Sequence, residues 1–361
     1  MRIMYLLFSF TVGGAEKLVT DICNEMVKSN EIYLYIVNKS YSSELLNSLD
    51  NRVHKILYNR IPKSHDKLKV VHDLDKFIID NKINVIHCNS LDAPKVLIFK
   101  PILFRQCVVV HTIHDVGQYK LLSNTDKLFR NIICDKFIAI SESVKKDIVE
   151  NGAAPAKTEI VYNAINVKKF SEIKKKNHSK IVIGNVARFM PEKKGQDLLL
   201  EAVKQLLSDY PDIKCLFAGG PDKKHLEEFN AYKKDVQNEG LENNIEFLGN
   251  VNDIPSFLSN IDIFVLPSRY EGFGLSLIEA MSAGIPCVAS NLDGPSEIIG
   301  NDERGILFES GNVQDLVSKL RYVIDNLHKI SNEQKSNVEY VKANFDIVVM
   351  CQKLARIYKG D

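Results

Sequence analysis

The stretch Arg269-Tyr270-Glu271-Gly272-Phe273-Gly274-Leu275-Ser276-Leu277-Ile278-Glu279-Ala280-Met281 decides how this part of the chain folds. It follows the apolar run 262–267 (Asp-Ile-Phe-Val-Leu-Pro), which predicts a buried strand. Two glycines then permit a sharp turn, and apolar residues three apart predict a helix from Leu275 until Gly284-Ile285-Pro286 stops it. The stretch therefore reads as a strand, a glycine turn and a helix.

The turn at Gly272–Leu275 has the properties of an anion site. Unpaired backbone N–H groups lie at the helix N-terminus, which carries about half a positive charge and favours a phosphate or diphosphate. Glu271 and Glu279 flank the turn. Because a carboxylate repels a phosphate, the natural partner of each glutamate is a sugar hydroxyl. Phosphate and polyol together indicate a nucleotide sugar as the ligand.

The composition is that of a globular protein with room for two domains. The 361 residues are 45% hydrophobic and 26% charged, and the formal net charge is +1. A net charge so close to zero argues against nucleic-acid binding by the chain as a whole.

The charge is unevenly distributed. Residues 1–170 carry 24 lysines and arginines against 18 acids, whereas residues 171–361 carry 23 against 28. The basic excess is densest in 52–69, where only Asp66 is acidic and the basic residues are Arg52, Lys55, Arg60, Lys63, Lys67 and Lys69. Such a segment can contact an anionic membrane surface or a diphosphate-linked acceptor, or it can be ordinary solvated surface.

The cysteines and the N-terminus indicate where the protein works. The seven cysteines are scattered and none belongs to a CxxC pair, which predicts buried thiols of a reducing cytosol rather than disulfides or metal ligands. The apolar run near the N-terminus is too short for a membrane span and has no small-residue cleavage site. We expect a cytoplasmic protein, either soluble or peripheral on the inner face of the cell membrane.

The chain reads as two β-α series. The run Arg2–Phe8, the turn containing Gly13 and Gly14, and a helical pattern form the first unit of a doubly wound fold. Further strands are predicted at 32–37, 85–88, 107–111, 137–140 and 160–162, with amphipathic segments such as 68–79 between them. Residues 171–180 are polar and form the predicted linker, so that domains of 1–170 and 181–345 result. Neither a GxGxxG fingerprint nor a P-loop motif is present.

A second candidate site begins where the strand after the linker delivers Arg188. A short proline loop follows and brings Lys193 and Lys194 back before the next helix. An arginine and a lysine one loop apart form a clamp for a diphosphate leaving group, which gains charge as the glycosidic bond breaks.

These motifs resemble those of the retaining GT-B glycosyltransferases of glycosyltransferase family 4, over nearly the whole chain. Glu271 and Glu279 match the family's E-x7-E motif, and Gly13-Gly14-Ala15-Glu16 matches its N-terminal GGAE. His114-Asp115 followed by Gly117 matches the histidine near the transferred sugar, and Arg188 to Gly195 matches R-x(4-5)-K-G. The segment Phe247-Leu248-Gly249-Asn250-Val251, after a predicted strand, matches the family's [FV]-x-G-x-V pattern.

The resemblance implies a fold and roles for individual residues. The fold is α/β, of GT-B type: two Rossmann-like doubly wound domains face each other across a cleft, and a final helix of 346–361 crosses back to the first. Gly14 lies near the donor diphosphate or the transferred sugar, His114 bonds a sugar hydroxyl, and backbone atoms near Val251 bond the base. Glu271 contacts the O3/O4 end of the sugar and Glu279 the ribose. His111, by contrast, is expected to be structural.

The implied activity is transfer of a hexosyl or N-acetylhexosaminyl unit with retention of configuration. The donor is expected to be a UDP-sugar, and the acceptor a glycan or a lipid-diphosphate-linked sugar of bacterial surface polysaccharide. Neither a metal ion nor a cofactor is expected. The alternatives are a sugar-nucleotide epimerase or hydrolase of the same fold, and a non-catalytic GT-B partner subunit.

Two segments leave alternatives open. Asp73-Leu74-Asp75 formally matches a DxD metal motif, but the helical period around it predicts a solvated face of a helix instead. The basic and apolar segment 118–133 fits an acceptor groove, a membrane contact or a helix packed on the domain.

Overall fold

The computed structural model describes residues 1–62, 64, 66–176 and 179–360, which divide into two compact α/β units. The first unit comprises Met1–Ile165 and the C-terminal segment that begins at Ile347, and the second comprises Asn166–Asp346. The boundary thus lies before the predicted linker of 171–180. Helix Val167–Ser171 belongs to the second unit because its residues Val167 and Phe170 are buried there. Residues 177 and 178 of that linker lie outside the described residues, as does Lys63 of the basic segment.

The first unit is built on a parallel sheet of seven strands in the order β3-β2-β1-β4-β5-β6-β7. The strands are almost continuously apolar because helices cover both faces of such a sheet. They are β1 (Arg2–Leu7), β2 (Glu31–Asn38), β3 (His54–Arg60), β4 (Val85–Cys88), β5 (Val108–Ile113), β6 (Lys136–Ala139) and β7 (Thr158–Ile160).

The helices of the first unit connect these strands, and the last one comes from the chain's end. They are α1 (Gly14–Met26), α2 (Ser43–Asn47), α3 (Lys67–Asp80), α4 (Lys100–Leu103), α5 (Asn124–Ile133), α6 (Glu142–Glu150) and, much later in the chain, α17 (Ile347–Lys359). Helix α17 packs on α1, and its Met350, Leu354 and Ile357 join the apolar core of this unit.

The second unit has a parallel sheet of six strands in the order β10-β9-β8-β11-β12-β13. They are β8 (Val182–Val186), β9 (Lys214–Ala218), β10 (Ile245–Gly249), β11 (Ile263–Leu266), β12 (Cys287–Ser290) and β13 (Ile306–Phe308). The helices are α7 (Val167–Ser171), α8 (Pro191–Lys194), α9 (Gln196–Leu206), α10 (Leu226–Asn238), α11 (Ile254–Ser259), α12 (Leu275–Ser282), α13 (Asp293–Ile299), α14 (Val313–Asp325), α15 (Leu327–Glu333) and α16 (Asn337–Phe345).

The strand order places two separate loops side by side. In both sheets the first strand of the unit lies in the middle, where the direction of strand order reverses. Ligands of doubly wound sheets bind at the carboxyl ends of the strands at this switch point. In the second unit β8 pairs with β11, so the loop after β8 lies beside the loop after β11.

Several sequence predictions are confirmed and one is wrong. The strand, glycine turn and helix of 262–281 are present as β11 and α12, and all seven cysteines are buried with no disulfide in the described chain. The prediction of a solvated face for Asp73-Leu74-Asp75 fails. Asp75 is only 4% exposed, and Asp73 accepts a hydrogen bond of 2.8 Å from the Tyr58 hydroxyl, because β3, which the sequence pattern did not reveal, lies in this unit's sheet.

The basic segment is partly neutralised. Arg52 pairs with Asp50 and Arg60 with Asp66, at 2.9 and 2.8 Å.

None of the described helices is both long and apolar enough to cross a lipid bilayer.

Candidate active site

Three loops of the second unit are joined at the carboxyl edge of its sheet. The Phe189 amide, after β8, donates to the Gly220 carbonyl at 3.0 Å. The Gly220 amide, after β9, donates to the Asn250 Oδ1 atom, after β10, at 2.9 Å. The loop of Arg188 is thereby fixed beside the turn that precedes Val251, so these two predicted donor-binding residues belong to adjacent loops.

Lys194 and Glu271 form the central contact of this edge. The Lys194 Nζ atom lies 2.8 Å from the Glu271 Oε2 atom, and the Ser268 hydroxyl donates to the same oxygen at 3.2 Å. The two side chains are only 20% and 15% exposed. A lysine and a glutamate that are 77 positions apart are therefore held together in a partly desolvated place, where charges interact more strongly than in water.

A second, partly buried set of contacts holds the same two loops in register. The Lys193 carbonyl accepts from the Arg269 and Tyr270 amides at 2.9 and 3.2 Å. The Arg269 guanidinium binds both carboxylate oxygens of Asp197 and the Pro191 carbonyl, at 2.6 to 2.7 Å. Bidentate pairs of this kind fix geometry as well as adding energy.

Gly195 allows the loop to approach β11. Its φ of +67° is in the left-handed region, and a Cβ atom there would lie 1.9 Å from the Pro267 carbonyl oxygen. No other residue fits without moving the backbone. The glycine thus sets the short distance between Lys194 and the turn after β11.

The turn after β11 has the form that the sequence predicted. Helix α12 begins at Leu275, and Gly274 precedes it with a φ of +116°. Phe273 is 2% exposed and its ring packs edge-on against Phe345, so this residue offers its backbone rather than its side chain. Glu279, in the first turns of α12, is buried at 7% exposure.

Arg188 is exposed, and a buried glutamine side chain fixes the backbone of its loop. The Gln196 amide group, 1% exposed, donates to the Arg188 carbonyl at 2.9 Å and accepts from the Met190 amide at 3.4 Å. Sequence reasoning missed both Gln196 and Arg269. The available sequence signals were the glycine before Gln196 and the arginine within the stretch 269–281. Neither signal reveals which residue the Gln196 or Arg269 side chain contacts.

The first unit places its predicted residues at the carboxyl edge of its own sheet. Gly13 caps helix α1 with extended backbone, and Gly14 is the first residue of that helix. His114 follows β5 directly, and its Nε2 atom is buried without a hydrogen-bond partner among the described residues. Burial lowers the pKa of His114 to about 4, so the ring is neutral at pH 7.

One group of side chains has the composition of a metal site. The ligand atoms of Glu192, His225 and Glu228 lie within 4.8 Å of one another. The His225 ring nitrogens contact Glu192 at 2.9 Å and Asp222 at 2.7 Å, and these two carboxylates raise the pKa of His225. The histidine between two acids ties the loop after β8 to the loop after β9.

Two family models match the chain. Residues 12–169 match Glycosyltransferase Family 4, and residues 166–341 match Glycosyl transferases group 1. The fold is also that of known structures. The crystal structure of Anabaena Alr3699/HepE in complex with UDP superposes with a TM-score of 0.85 at 22% identity, over 100% of both chains.

Curated relatives are similar to this chain in sequence. The lipopolysaccharide core biosynthesis mannosyltransferase LpsB of Rhizobium meliloti is 30% identical over 169 residues, and the match spans 46% of this chain and 48%, about half, of that protein. The UDP-Gal:alpha-D-GlcNAc-diphosphoundecaprenol alpha-1,3-galactosyltransferase of Escherichia coli is 26% identical over 312 residues, or 81% of this chain and 79% of that protein. With two matching models that together span residues 12–341 and with a fold of two doubly wound units, the chain belongs to the GT-B glycosyltransferases, Glycosyltransferase Family 4 in its N-terminal half and Glycosyl transferases group 1 in its C-terminal half.

Proposed function

We propose that the protein transfers a hexosyl or N-acetylhexosaminyl unit from a nucleotide sugar to a glycan or lipid-diphosphate-linked acceptor, with retention of configuration. The observation that carries the proposal is the Lys194–Glu271 pair at 2.8 Å beside the turn Gly272–Leu275. A cation, a row of helix N-terminal amides and a carboxylate are what a nucleotide sugar requires in one place.

In the proposed reaction the bond between the anomeric carbon and the donor phosphate breaks while the acceptor hydroxyl bonds to the same carbon on the same face. The acceptor's proton passes to the departing phosphate oxygen. Arg188, Lys194 and the amides of 272–275 stabilise the negative charge that develops on the nucleoside diphosphate. These groups supply the positive charge, and the proposal therefore includes no metal ion and no cofactor.

The carboxylates and the histidine are assigned to hydroxyl groups. Glu271 binds the O3/O4 end of the transferred sugar and keeps its bond from Ser268 while Lys194 turns to the phosphate. Glu279 binds the ribose, backbone atoms at Val251 bind the base, and Lys193 assists the clamp. In the first unit, Gly13, Gly14 and His114 are assigned to the donor's sugar and diphosphate.

Relatives support the proposed donor and acceptor. HepE was crystallised with UDP and with UDP-glucose, and the Escherichia coli relative is named for a UDP-sugar donor and a diphosphoundecaprenol-linked acceptor. We therefore propose UDP-sugar as donor and a lipid-diphosphate-linked sugar as acceptor, in the synthesis of a bacterial surface polysaccharide. A cytoplasmic location is part of this proposal.

A peripheral contact with an anionic membrane is a further part of the proposal. Two segments, 98–103 and 121–132, carry the apolar surface, and Lys95, shortly before the first, pairs with Asp126 of the second at 3.7 Å. They expose apolar side chains, with exposed fractions of 42 to 85% at Phe99, Ile102, Leu103, Leu121, Leu128 and Ile132. Co-sedimentation with vesicles that contain anionic lipid tests this, and Leu121→Ser with Ile102→Ser should reduce the bound fraction several-fold.

A thermal-shift screen followed by product analysis tests the proposed function. A nucleoside diphosphate sugar that binds raises the melting temperature in proportion to the logarithm of its concentration over Kd. Turnover of that donor is then measured with and without a lipid-diphosphate acceptor, and the anomeric configuration of the product is read by NMR coupling constants. Turnover that needs no acceptor would indicate an epimerase or hydrolase, and binding without any turnover would indicate a non-catalytic partner subunit.

A pair of matched variants assigns the activity to the donor site. Lys194→Met should abolish most of the transfer, whereas Lys234→Met, at an exposed lysine of helix α10, should leave it unchanged. Addition of EDTA should also leave the rate unchanged. A rate that collapses in EDTA would overturn the metal-free mechanism.

A further inference from the structure

A buried arginine of the first unit lacks a hydrogen-bond partner in the part of the chain that the structure describes. Arg130, in helix α5, has no exposed surface, and its Nε, Nη1 and Nη2 atoms make no hydrogen bond to any described residue. A guanidinium stays charged at every pH that proteins tolerate. An uncompensated charge in a protein interior is among the most destabilising features that a fold can contain.

The groups around Arg130 are also neutral. Its charge acts on His111, Tyr119, Cys88 and Cys134. Burial, together with this charge, lowers the pKa of His111 well below its usual range, and burial raises the pKa of Tyr119 to about 12. Burial also raises the pKa of both thiols. None of these four groups carries a negative charge at pH 7.

The acids that are close in sequence are engaged elsewhere. Four carboxylates that are close to helix α5 in sequence have other contacts at 2.8 to 3.7 Å: Asp115 with Gln118, Asp126 with Lys95, Asp135 with Lys100 and the Val109 amide, and Asp147 with the Gly117 amide. Among the described residues, no carboxylate lies within hydrogen-bond distance of the Arg130 guanidinium.

Tyr119 and His111, on which the Arg130 charge acts, are hydrogen-bonding groups, and His114 lies near His111. The Tyr119 hydroxyl and the Nε2 atom of His114 are buried and make no hydrogen bond to a described residue, and the His111 ring faces the Ser90 backbone. Tyr119 and His111 flank the Phe137 ring at 6.1 and 6.2 Å. An arginine, a hydroxyl and imidazole N–H groups are all donors that an oxyanion accepts from.

The position in the fold is that of a ligand site. His111 and Cys88 lie opposite each other near the carboxyl ends of β5 and β4, next to the switch point of the first sheet. Tyr119 lies in the turns that follow β5. The same edge carries His114, which the proposed function assigns to the transferred sugar.

We propose that Arg130, Tyr119 and His111 bind a phosphate-class oxyanion, and that the diphosphate of the acceptor is its source. The second part rests on the proposed function, whereas the binding of phosphate itself does not. Arg130 supplies the charge and a planar fork for two oxygens, and the other two supply single hydrogen bonds. Because all three side chains are buried, the turns at 115–122 must shift to admit the anion.

Thermal shift with inorganic phosphate and pyrophosphate tests the site in the full-length protein at constant ionic strength. At ten times Kd the wild-type melting temperature should rise by about 3–6 °C. Arg130→Met should retain only the response of the proposed diphosphate clamp in the second unit, and Tyr119→Phe should respond less than the wild type. Arg105→Met, at an exposed arginine, is the control and should respond as the wild type does. Because the second unit is unchanged in all variants, the difference between variants reports the first unit alone.

The outcomes separate a binding site from a structural role. In phosphate-free buffer Arg130→Met should melt at the wild-type temperature or above it, because it removes an uncompensated charge. Equal responses of wild type and Arg130→Met to phosphate, or none in the wild type, would overturn the proposal. If Arg130→Met does not fold, an unaltered response in Tyr119→Phe overturns it.

Acceptor analogues identify the source of the anion. A monosaccharide on a short prenyl diphosphate should raise the melting temperature and compete with phosphate, whereas the same sugar on a neutral alkyl chain should not. In the transfer assay Arg130→Met should then raise KM for the diphosphate acceptor at least tenfold without changing KM for the donor. If phosphate binds but the diphosphate analogue does not compete, the acceptor assignment is wrong. If the wild-type protein responds to phosphate but transfers no sugar, that result counts against the proposed function and not against the phosphate site.

Discussion

Helix α17 is attached to the first unit by a buried polar contact that one substitution removes. The Tyr358 hydroxyl lies 2.6 Å from the His87 Nδ1 atom and 3.3 Å from the Tyr5 hydroxyl, and His87 Nε2 lies 2.7 Å from the Thr112 hydroxyl. Tyr358→Phe keeps the ring and its packing but deletes the hydroxyl. We expect a loss in the free energy of unfolding that is larger than a single surface contact provides.

The magnitude follows from burial. His87 and Tyr358 are 1% and 3% exposed, so no water replaces the lost partner. Leaving a buried hydrogen-bonding atom unsatisfied costs about 1–3 kcal/mol. Both His87 Nδ1 and the Tyr5 hydroxyl lose a partner, so the expected loss is at least about 2 kcal/mol.

The assay is urea unfolding followed by far-UV circular dichroism, since the chain has no tryptophan. Hydrogen exchange of 347–359 in the native state should accelerate at the same time, because α17 detaches more easily. Tyr322→Phe, at a tyrosine that is 51% exposed, is the matched control and should change stability by less than about 0.5 kcal/mol. If Tyr358→Phe were as stable as this control, the reasoning about the buried network would be refuted.

Three further predictions concern the donor site, the loop glycine and the response to acid. Arg188→Ala should raise the barrier of transfer by roughly 2–4 kcal/mol, seen as a roughly 30- to 900-fold lower kcat, and a rate within twofold of wild type would exclude the assigned role. Gly195→Ala should destabilise the second unit by about 3 kcal/mol or more, whereas Gly240→Ala, with a similar φ of +68° and nothing within 4 Å, should cost only about 1 kcal/mol; equal losses in urea unfolding would remove the steric explanation. Burial holds the pKa of His87 at about 3 and of His114 at about 4 in the folded state, below the unfolded value of 6.5. The unfolded state therefore binds the protons, and stability present above pH 6.5 should fall by about 2 kcal/mol per histidine by pH 5; unfolding curves that coincide at pH 7.5 and 5 would contradict this.

The fold was largely predictable from local patterns. The alternation of apolar strands with amphipathic helices predicted both sheets, and the glycine turn between β11 and α12 begins and ends where the sequence indicated. The edge strands of the sheets were less predictable. Strand β3 was missed because its pattern includes polar and charged residues such as Lys55, which is exposed on this edge strand.

The candidate site residues Arg188, Lys194, Glu271 and Glu279 were chosen from residue types, spacing and the family resemblance, and their roles stay a prediction. That Lys194 and Glu271 bond to each other could not be predicted from the sequence, because the contact requires β8 to lie beside β11.

By itself, the sequence determined where strands, turns and helices begin and which residues suit a diphosphate and hydroxyl groups, since periodicity and turn chemistry act over a few residues. Only the tertiary structure decided which of these residues meet. It brought Arg269 to Asp197, returned α17 to the first unit, and enclosed Arg130 among neutral groups. The order of strands in a sheet sets those distances, and that order depends on packing across the whole unit rather than on any local pattern.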